Sequence, residues 1–270
     1  ILRCLVGSEM CIRDSAYGQP LHCFDADKIK GGKIVVKTVA EGTTFVTLDE
    51  VERKLSDKDL MICNTEEPMC IAGVFGGLDS GTTEQTVDVF LESAYFNPTW
   101  VRKTARRHGL STDSSFRFER GIDPNGTIYA LKEAALLVQE LAGGTISSEI
   151  KDNYPAPIAD FTVELNYEKV HSLIGKTIPV ETIKSIVTSL EMKIVNETPE
   201  GLTLQVPPYR VDVQRDCDVV EDILRIYGYN NVEIPTTLKS SLTTKGEVDY
   251  SQKLQNLISE QLVGLSLIHI

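Results

Sequence analysis

Short runs of apolar and β-branched residues follow one another closely in the first third of this chain. Five of them fall at 33–39, 44–48, 60–63, 70–75 and 87–95. The pairs Gly31-Gly32 and Gly76-Gly77 interrupt the pattern, and glycine pairs are typical of tight turns between strands. The pattern therefore predicts a β-rich region.

Beyond this region, apolar positions recur every three to four residues. The segment PTWVRKTARRH begins at Pro98 and precedes Gly109, and a second segment runs from Pro124 to Gly143. Proline is favoured in the first turn of a helix, and glycine directly after the last. Two helices are predicted, and strands followed by helices indicate an α+β fold.

A change of pattern marks a second module. The stretch YPAPIAD contains two prolines, which predicts a linker. After it come the strand FTVELNY, two helices, two further strands and a helix over Asp216–Tyr227. The predicted divisions are 16–153 for a first domain, 154–160 for the linker, 161–238 for the module and 239–264 for the start of a further segment.

The composition is that of a globular protein, with 270 residues, 41% hydrophobic and 24% charged. No run of 18 apolar residues is present, so we predict no association with a membrane. The net charge of -12 argues against broad binding of a nucleic-acid backbone, although a local basic patch stays compatible with it. The six cysteines form no C-x-x-C pair, and no secretory signal is evident, which favours a cytoplasmic protein.

Both ends of the chain look foreign to the protein. The DNA element GAG-ATG-TGT-ATA-AGA-GAC-AG encodes Glu9–Asp14, and its reverse complement encodes LSLIHI, the last six residues. This element resembles the end sequence of a transposase used to prepare sequencing libraries. We therefore expect 1–15 and 265–270 to be translated adapter DNA, and we leave them out of the interpretation of the fold.

The densest polar stretch is ARRHGLSTDSSFRFERGIDP, from Ala105 to Pro124. Its arginines concentrate positive charge in an acidic chain, and guanidinium groups suit phosphates and carboxylates. Two interpretations stay open from composition. One is a solvated loop with arginines paired to Glu119 and Asp123, and the other is a site for an anionic ligand such as an RNA backbone.

Three other features have two interpretations each. The glycines of AGVFGG, at 72–77, would let a ligand approach the backbone or would form a tight turn. Glu92 lies among apolar residues, as an exposed strand residue or as a pocket carboxylate that reads a substrate hydroxyl or amine. His22 stands alone beside apolar neighbours, which is more often structural.

Acidic residues cluster around the last helix of the second module. Asp218, Glu221 and Asp222 lie at i, i+3 and i+4, on one helical face, and Asp212 precedes them. Such oxygen ligands could hold Mg²⁺. The alternative is an acidic first turn that the helix dipole favours, with Asp216 or Asp218 as the N-cap.

Five stretches, in order, resemble the bacterial phenylalanyl-tRNA synthetase beta subunit family. They are GQPLHCFD, IAGVFGG, VFLESAYF, RRHGLSTDSSFRFERGIDP and YRVDVQRDCDVVEDILRIYGYNN. The resemblance extends from about Tyr17 to about Gly264 and implies an internal fragment of that subunit. It implies that 16–153 is an editing domain, which hydrolyses tyrosine wrongly attached to phenylalanine tRNA. It also implies that 161–238 is a small winged-helix-like module.

The resemblance also implies roles for particular residues. His22 would lie in the editing pocket and Glu92 would read the tyrosine hydroxyl, while Gly73, Thr112 and Ser114 would bind substrate. Ser114 replaces the family's usual alanine, and a D-x-T-N stretch that contributes to the pocket in the family is missing before GQP. A polar pocket group discriminates strongly between substrates with and without a hydroxyl, and a positioned water would perform the hydrolysis.

For the second module, the family's magnesium pattern D-x5-D-x2-E-E falls on Asp212, Asp218, Glu221 and Asp222, the last where glutamate is usual. The resemblance implies Mg²⁺ near an alpha subunit, an alpha2-beta2 tetramer, and phenylalanine tRNA as the substrate. The complex would use ATP to attach phenylalanine to this tRNA, and ATP would not be bound by this fragment alone. The alternatives are a non-catalytic module that binds tRNA or a partner, and a free-standing aminoacyl-tRNA deacylase.

Overall fold

The computed structural model describes residues 17–234 and 246–266. The predicted adapter stretch 1–15 lies outside the described residues, as do residues 267–270. Contacts between Cα atoms divide the chain into two compact units, one ending at Gly228 and the other beginning at Tyr229. The predicted first domain and the module up to Gly228 therefore lie in the first unit, whereas the module's residues from Tyr229 onward fall in the second. The boundaries proposed between the predicted modules stay a prediction.

The first part of the first unit is built from short strands with antiparallel pairings. The strands are β1 (Leu21–Asp25), β2 (Val35–Thr38), β3 (Thr44–Val46), β4 (Glu52–Lys54), β5 (Leu60–Cys63), β6 (Pro68–Ile71), β7 (Phe75–Gly76) and β8 (Val89–Ser93). Strands β2, β5, β6 and β7 form a four-stranded sheet in that order, while β3 pairs with β4 and β1 pairs with β8.

The core lies on the four-stranded sheet because its two central strands are apolar nearly throughout. Met61 and Ile62 of β5 and Ile71 of β6 are at most 2% exposed, and Phe24 and Leu55 join the same cluster. Burying a side chain of this size contributes about 1.5–3 kcal/mol. The β6–β7 hairpin is thus held by a well-packed apolar core.

Three helices follow the strands: α1 (Pro98–His108), α2 (Asp113–Arg120) and α3 (Thr127–Ala142). The Asn97 side chain accepts hydrogen bonds from the backbone N–H groups of Thr99 and Trp100, and Pro98 occupies the first turn. Gly109 ends α1 in the left-handed region, at φ 64°. The helix predicted from PTWVRKTARRH is confirmed at both ends, and strands followed by helices confirm the α+β class.

Some details of the predicted elements were wrong. Residues 70–75, expected to form one strand, belong to a hairpin because Gly73 turns the chain at φ 68° between β6 and β7. The stretch that carries Thr112 and Ser114, expected to be a loop, contains the start of α2. Strands β1 and β4 were not predicted, since both are short and contain several polar residues.

The second part of the first unit is a three-stranded sheet covered by helices. Its elements are β9 (Phe161–Asn166), α4 (Tyr167–Ile174), α5 (Val180–Ser189), β10 (Lys193–Thr198), β11 (Gly201–Val206) and α6 (Asp216–Tyr227). The antiparallel strand order is β10-β11-β9. Val219, Val220 and Ile223 form the buried face of α6, whereas Ile226 is 54% exposed.

The two parts of the first unit meet at Gly121, directly after α2. This glycine has φ 92°, and a Cβ atom there would lie 2.7 Å from Cγ1 of Val211, in the loop before α6. The absence of a side chain at this position therefore permits close packing.

The second unit contains a 3₁₀ turn at Tyr229–Asn231 and the helix α7 (Glu247–Gly264) among its described residues. None of the described helices has the length and apolar character needed to span a bilayer.

Candidate active site

The central feature of the candidate site is the direct pairing of His22 with Glu92. Strands β1 and β8 run antiparallel, and their register places these two residues opposite each other. Side chains of directly opposite residues lie on the same face of a sheet, with Cβ atoms about 4.5–5.5 Å apart. Two residues that are 70 positions apart in the sequence are therefore neighbours.

The ring of His22 is enclosed by apolar groups and by the β6–β7 hairpin. It stacks edge-on against Phe24, with ring centroids 4.4 Å apart. A Cβ atom at Gly76 would lie 2.9 Å from Cε1 of His22, so the absence of a side chain there makes room for the ring. Burial lowers the pKa of His22 to about 4, and its Nε2 atom has no hydrogen-bond partner among the described residues. The ring is therefore neutral near pH 7, with one buried nitrogen that lacks a hydrogen-bond partner among the described residues.

The carboxyl group of Glu92 is surrounded by protein atoms, although the residue as a whole is only partly buried. Burial raises the pKa of this carboxyl to about 7, because the charged form loses hydration. The carboxylate of Glu92 also affects the pKa of the buried Cys70 thiol. Burial first, and the charge of Glu92 second, raise the pKa of Cys70 well above its usual range. Cys70 thus stays a protonated thiol.

The turn of the β6–β7 hairpin is held by the start of α2. The hydroxyl of Thr112 donates to the carbonyl of Val74 at 2.7 Å, and that of Ser114 donates to the carbonyl of Gly73 at 3.1 Å. Thr112 also caps α2, since its side chain accepts a hydrogen bond from the N–H of Ser115. Both hydroxyls predicted to bind substrate therefore fix the backbone of the turn.

Gly73 is packed too tightly to carry a side chain. A Cβ atom would lie 3.0 Å from the ring of Phe96 and 3.1 Å from that of Phe118. The predicted site residues thus form two groups, and both groups contact the β6–β7 hairpin. Gly73, Thr112 and Ser114 lie at its turn, while His22 and Glu92 lie on the β1–β8 ribbon, where His22 contacts Gly76.

The four predicted magnesium ligands of the second module are mostly engaged with arginines. Asp222 is buried and paired with Arg210 at 2.5 Å. Asp218 pairs with Arg215 at 2.9 Å, and this hydrogen bond lowers the pKa of Asp218 to about 2. The remaining pair joins Glu221 to Arg225 at 2.9 Å. The N-cap of α6 is Arg215, not Asp216 or Asp218 as predicted.

This arrangement does not fit a magnesium ion. Carboxylate oxygens are suitable ligands for Mg²⁺, but no cluster of three or more His, Cys, Asp or Glu side chains within the described part of the chain could hold a metal ion. Burial also separates Asp222, on the packed face of α6, from the exposed Glu221. Magnesium binding at Asp212, Asp218, Glu221 and Asp222 stays a prediction.

Comparison with known proteins identifies the family of this chain. A model of the B3/4 domain matches residues 15–143, and a model of the tRNA synthetase B5 domain matches residues 163–229. The phenylalanine–tRNA ligase beta subunit of Bacteroides fragilis (strain ATCC 25285) is 82% identical over 92% of this chain. The chain belongs to the phenylalanine–tRNA ligase beta subunit family. It spans about 30% of the length of the curated relatives it matches.

More distant members show the same relation. The beta subunit of Porphyromonas gingivalis (strain W83) is 57% identical over 92% of this chain and 30% of its own length. Among solved structures, an N-terminal fragment of the phenylalanyl-tRNA synthetase beta subunit from Pyrococcus horikoshii is 17% identical. It covers 82% of this chain and 64% of its own, with a TM-score of 0.43.

In this beta-subunit segment, the basic stretch is only partly the solvated loop that composition suggested. Arg120 pairs with Glu119, as one interpretation expected. Arg107 and His108 instead contact the fully buried Asp59, which also accepts from Thr104. These partners could not be identified from the sequence because Asp59 is more than 40 residues away.

The Asp59 carboxylate is a structural link between β5 and α1. Burial by itself would raise its pKa, but hydrogen bonds from the Ser56 N–H, His108 and Thr104 outweigh this effect and hold the pKa below its usual value. The signal that sequence reasoning missed was an aspartate directly before the apolar run LMIC. Cys70 was also missed as a site residue, since its proximity to Glu92 depends on strand pairing.

Proposed function

We propose that this segment of the phenylalanine–tRNA ligase beta subunit forms an editing site that hydrolyses tyrosyl-tRNA made in error on phenylalanine tRNA. The observation that carries the proposal is the cross-strand pair of His22 and Glu92. It combines an unpartnered ring nitrogen with a carboxyl whose pKa lies near neutral pH. Strongly shifted groups that face each other are typical of functional sites.

Glu92 is suited to recognise the tyrosine hydroxyl. Glu92 has no charged partner within the described part of the chain, and a partly buried carboxyl of this kind can accept the phenolic O–H or, when protonated, donate to the phenol oxygen. Phenylalanine would leave this carboxyl unpaired in apolar surroundings, which costs about 1–3 kcal/mol or more. The resulting discrimination favours hydrolysis of the tyrosyl ester over the phenylalanyl ester.

The hydrolysis itself transfers one water molecule across the ester. The water oxygen forms a bond to the ester carbonyl carbon, the bond between that carbon and the ribose oxygen breaks, and the ribose oxygen takes up a proton that the water releases. The free Nε2 of His22 can hold this water or the terminal ribose by a hydrogen bond. Tyrosine and uncharged tRNA are the products.

A covalent route through Cys70 is disfavoured. The thiolate is the nucleophilic form of cysteine, and burial together with the charge of Glu92 keeps this thiol protonated. Cys70 also donates to the backbone carbonyl of Phe75 at 3.4 Å. Direct attack by water therefore suits the site better.

The decisive experiment measures hydrolysis of tyrosyl- and phenylalanyl-tRNA by the chain and by the complete ligase that contains it. We expect Glu92→Gln to lower the preference for the tyrosyl ester about tenfold or more, by loss of a polar contact in an apolar pocket. The matched control is Glu52→Gln, on the exposed residue of β4. Unchanged preference in Glu92→Gln, or no hydrolysis by either protein, would overturn the proposal.

The whole ligase supplies the wider setting of this proposal. By analogy with the named relatives, the segment belongs to a subunit that works with an alpha subunit, as an alpha2-beta2 tetramer, to attach phenylalanine to its tRNA with ATP. The 82% identity to a beta subunit supports this role. The binding of Mg²⁺, the use of ATP and the cytoplasmic location stay predictions.

A further inference from the structure

We propose that the outward face of α1 and the apolar cavity beside it form a binding surface for single-stranded RNA. The proposal rests on the proposed function in one respect, which is that an RNA 3′ end must reach the chain. It assigns that contact to α1, an element that carries neither His22 nor Glu92.

The first observation is a group of available cations. Arg102, Lys103 and Arg106 are exposed on α1, and none of the three side chains has an ion pair or hydrogen bond to a described residue. Helical spacing of three and four residues makes Arg106 a neighbour of both Lys103 and Arg102. Three uncompensated charges thus lie together in a chain with a net charge of -12.

A fourth cation on the helix does not belong to this surface. Arg107 is paired with Asp59, and its charge also lowers the pKa of Glu41, after the hydrogen bonds from Asp57 and Ser56. Its positive charge is therefore balanced by carboxylates already present. The available charge is confined to the row of Arg102, Lys103 and Arg106.

The second observation is an exposed aromatic residue at the edge of an apolar cavity. Trp100 is 46% exposed and stands three residues before Lys103, on the same side of α1. The cavity has a volume of about 200 Å³, and Trp100 lines it together with Leu60, Ala72, Phe96, Val101 and Thr104. An apolar cavity of about 150 Å³ is enough to hold a benzene ring, so one planar ring can enter here.

Single-stranded RNA is the partner that uses all of these features. Proteins that bind single strands combine cations along the phosphate backbone with aromatic side chains on which bases stack. A duplex keeps its bases stacked inside the helix and offers none to Trp100 or to the cavity. An acidic peptide would satisfy the cations but would have no use for the tryptophan at this edge.

The test measures binding of a fluorescein-labelled single-stranded RNA hexamer to the intact 270-residue chain by fluorescence anisotropy. We expect the double variant Lys103→Glu and Arg106→Glu to raise the Kd about tenfold or more. The slope of log Kd against log salt should fall by about 1.4, since two phosphate contacts are lost at about 0.7 each for single strands. Trp100→Leu keeps apolar bulk and should raise the Kd about tenfold, because stacking is lost while the salt slope is retained.

Matched controls separate this surface from general charge effects. Lys132→Glu changes an exposed lysine on α3 and should leave the Kd unchanged. Circular dichroism of every variant confirms that the fold is retained. Equal binding by wild type and the Lys103/Arg106 variant would refute the surface, as would an unchanged Kd in Trp100→Leu combined with equal competition by polyglutamate.

The outcome is independent of the hydrolytic proposal. Glu92→Gln should leave binding of uncharged RNA unaltered, and the α1 variants should retain the preference for tyrosyl over phenylalanyl esters at saturating substrate. Absence of hydrolysis together with intact RNA binding would refute only the proposal of an editing site. Loss of the predicted RNA binding with intact editing would sink only the α1 surface.

Discussion

At the scale of single residues, the surroundings of a side chain decided between interpretations that its residue type left open. His22 was more simply a structural histidine, and Glu92 an exposed strand residue, until the register of β1 and β8 placed them opposite each other. Burial moves the pKa values of the two groups in opposite directions, to about 4 and about 7. Each of them is neutral in a window where the unfolded chain would carry a charge.

The pH dependence of stability should reveal this pair. Between pH 4.5 and 7, folded Glu92 keeps a proton that the unfolded chain releases, so the free energy of unfolding falls as pH rises. Between pH 4 and 6.5, the unfolded chain binds a proton that folded His22 excludes, so the free energy of unfolding rises with pH. The two slopes oppose each other in the wild type.

Variants separate the two contributions. Relative to wild type, Glu92→Gln should gain stability progressively from pH 4.5 to 7, and His22→Gln should gain it as pH falls from 6.5 to 4. Each change should amount to roughly 3 kcal/mol, since each pKa moves by about 2.5 units at about 1.36 kcal/mol per unit. Urea denaturation at a series of pH values is the measurement, and parallel pH profiles for wild type and both variants would contradict it.

At the scale of elements, α2 shows how one capping residue serves two purposes. Thr112 starts the helix by accepting from Ser115 and fixes the hairpin turn by donating to Val74. The sequence contained the cap, since threonine is a preferred N-cap residue. The short length of α2 and its serines made the segment look like a loop.

Replacement of Thr112 should therefore cost more than an ordinary cap. We expect Thr112→Val to lower the free energy of unfolding by about 2–3 kcal/mol, the sum of a lost cap and a lost hydrogen bond. Thr112→Ser keeps the hydroxyl and should stay within about 1 kcal/mol of wild type. Urea denaturation at pH 7 measures both, and equal losses in the two variants would show that the hydroxyl is not responsible.

At the scale of the whole molecule, the contact between the two parts of the first unit depends on Gly121. Its positive φ of 92° and its distance from Val211 both disfavour a side chain. Gly109 has a similar positive φ of 64° but no atom within 4 Å of a Cβ. The two glycines differ in packing and also in ψ, which is 26° at Gly109 and 137° at Gly121, so relief of the contact with Val211 is what isolates the packing contribution.

This difference leads to a prediction for alanine at the two positions. Gly109→Ala should lower the free energy of unfolding by about 1–2 kcal/mol, from the backbone alone. Gly121→Ala should lower it by about 2–4 kcal/mol, because overpacking adds to the strain. Adding Val211→Ala to Gly121→Ala should recover part of the loss, and thermal denaturation would contradict the idea if it recovered none.

The sequence by itself determined the α+β class, both ends of α1 and the order of motifs that links the chain to its family. These are local properties, since caps, periodicity and motif order need no knowledge of distant contacts. Only the tertiary structure decided that His22 faces Glu92, that Gly76 makes room for the ring, and that Arg210 pairs with the buried Asp222. The physical reason is that strand register, burial and ion pairing join residues far apart in the chain, and these long-range contacts set the pKa values and the available atoms of the site.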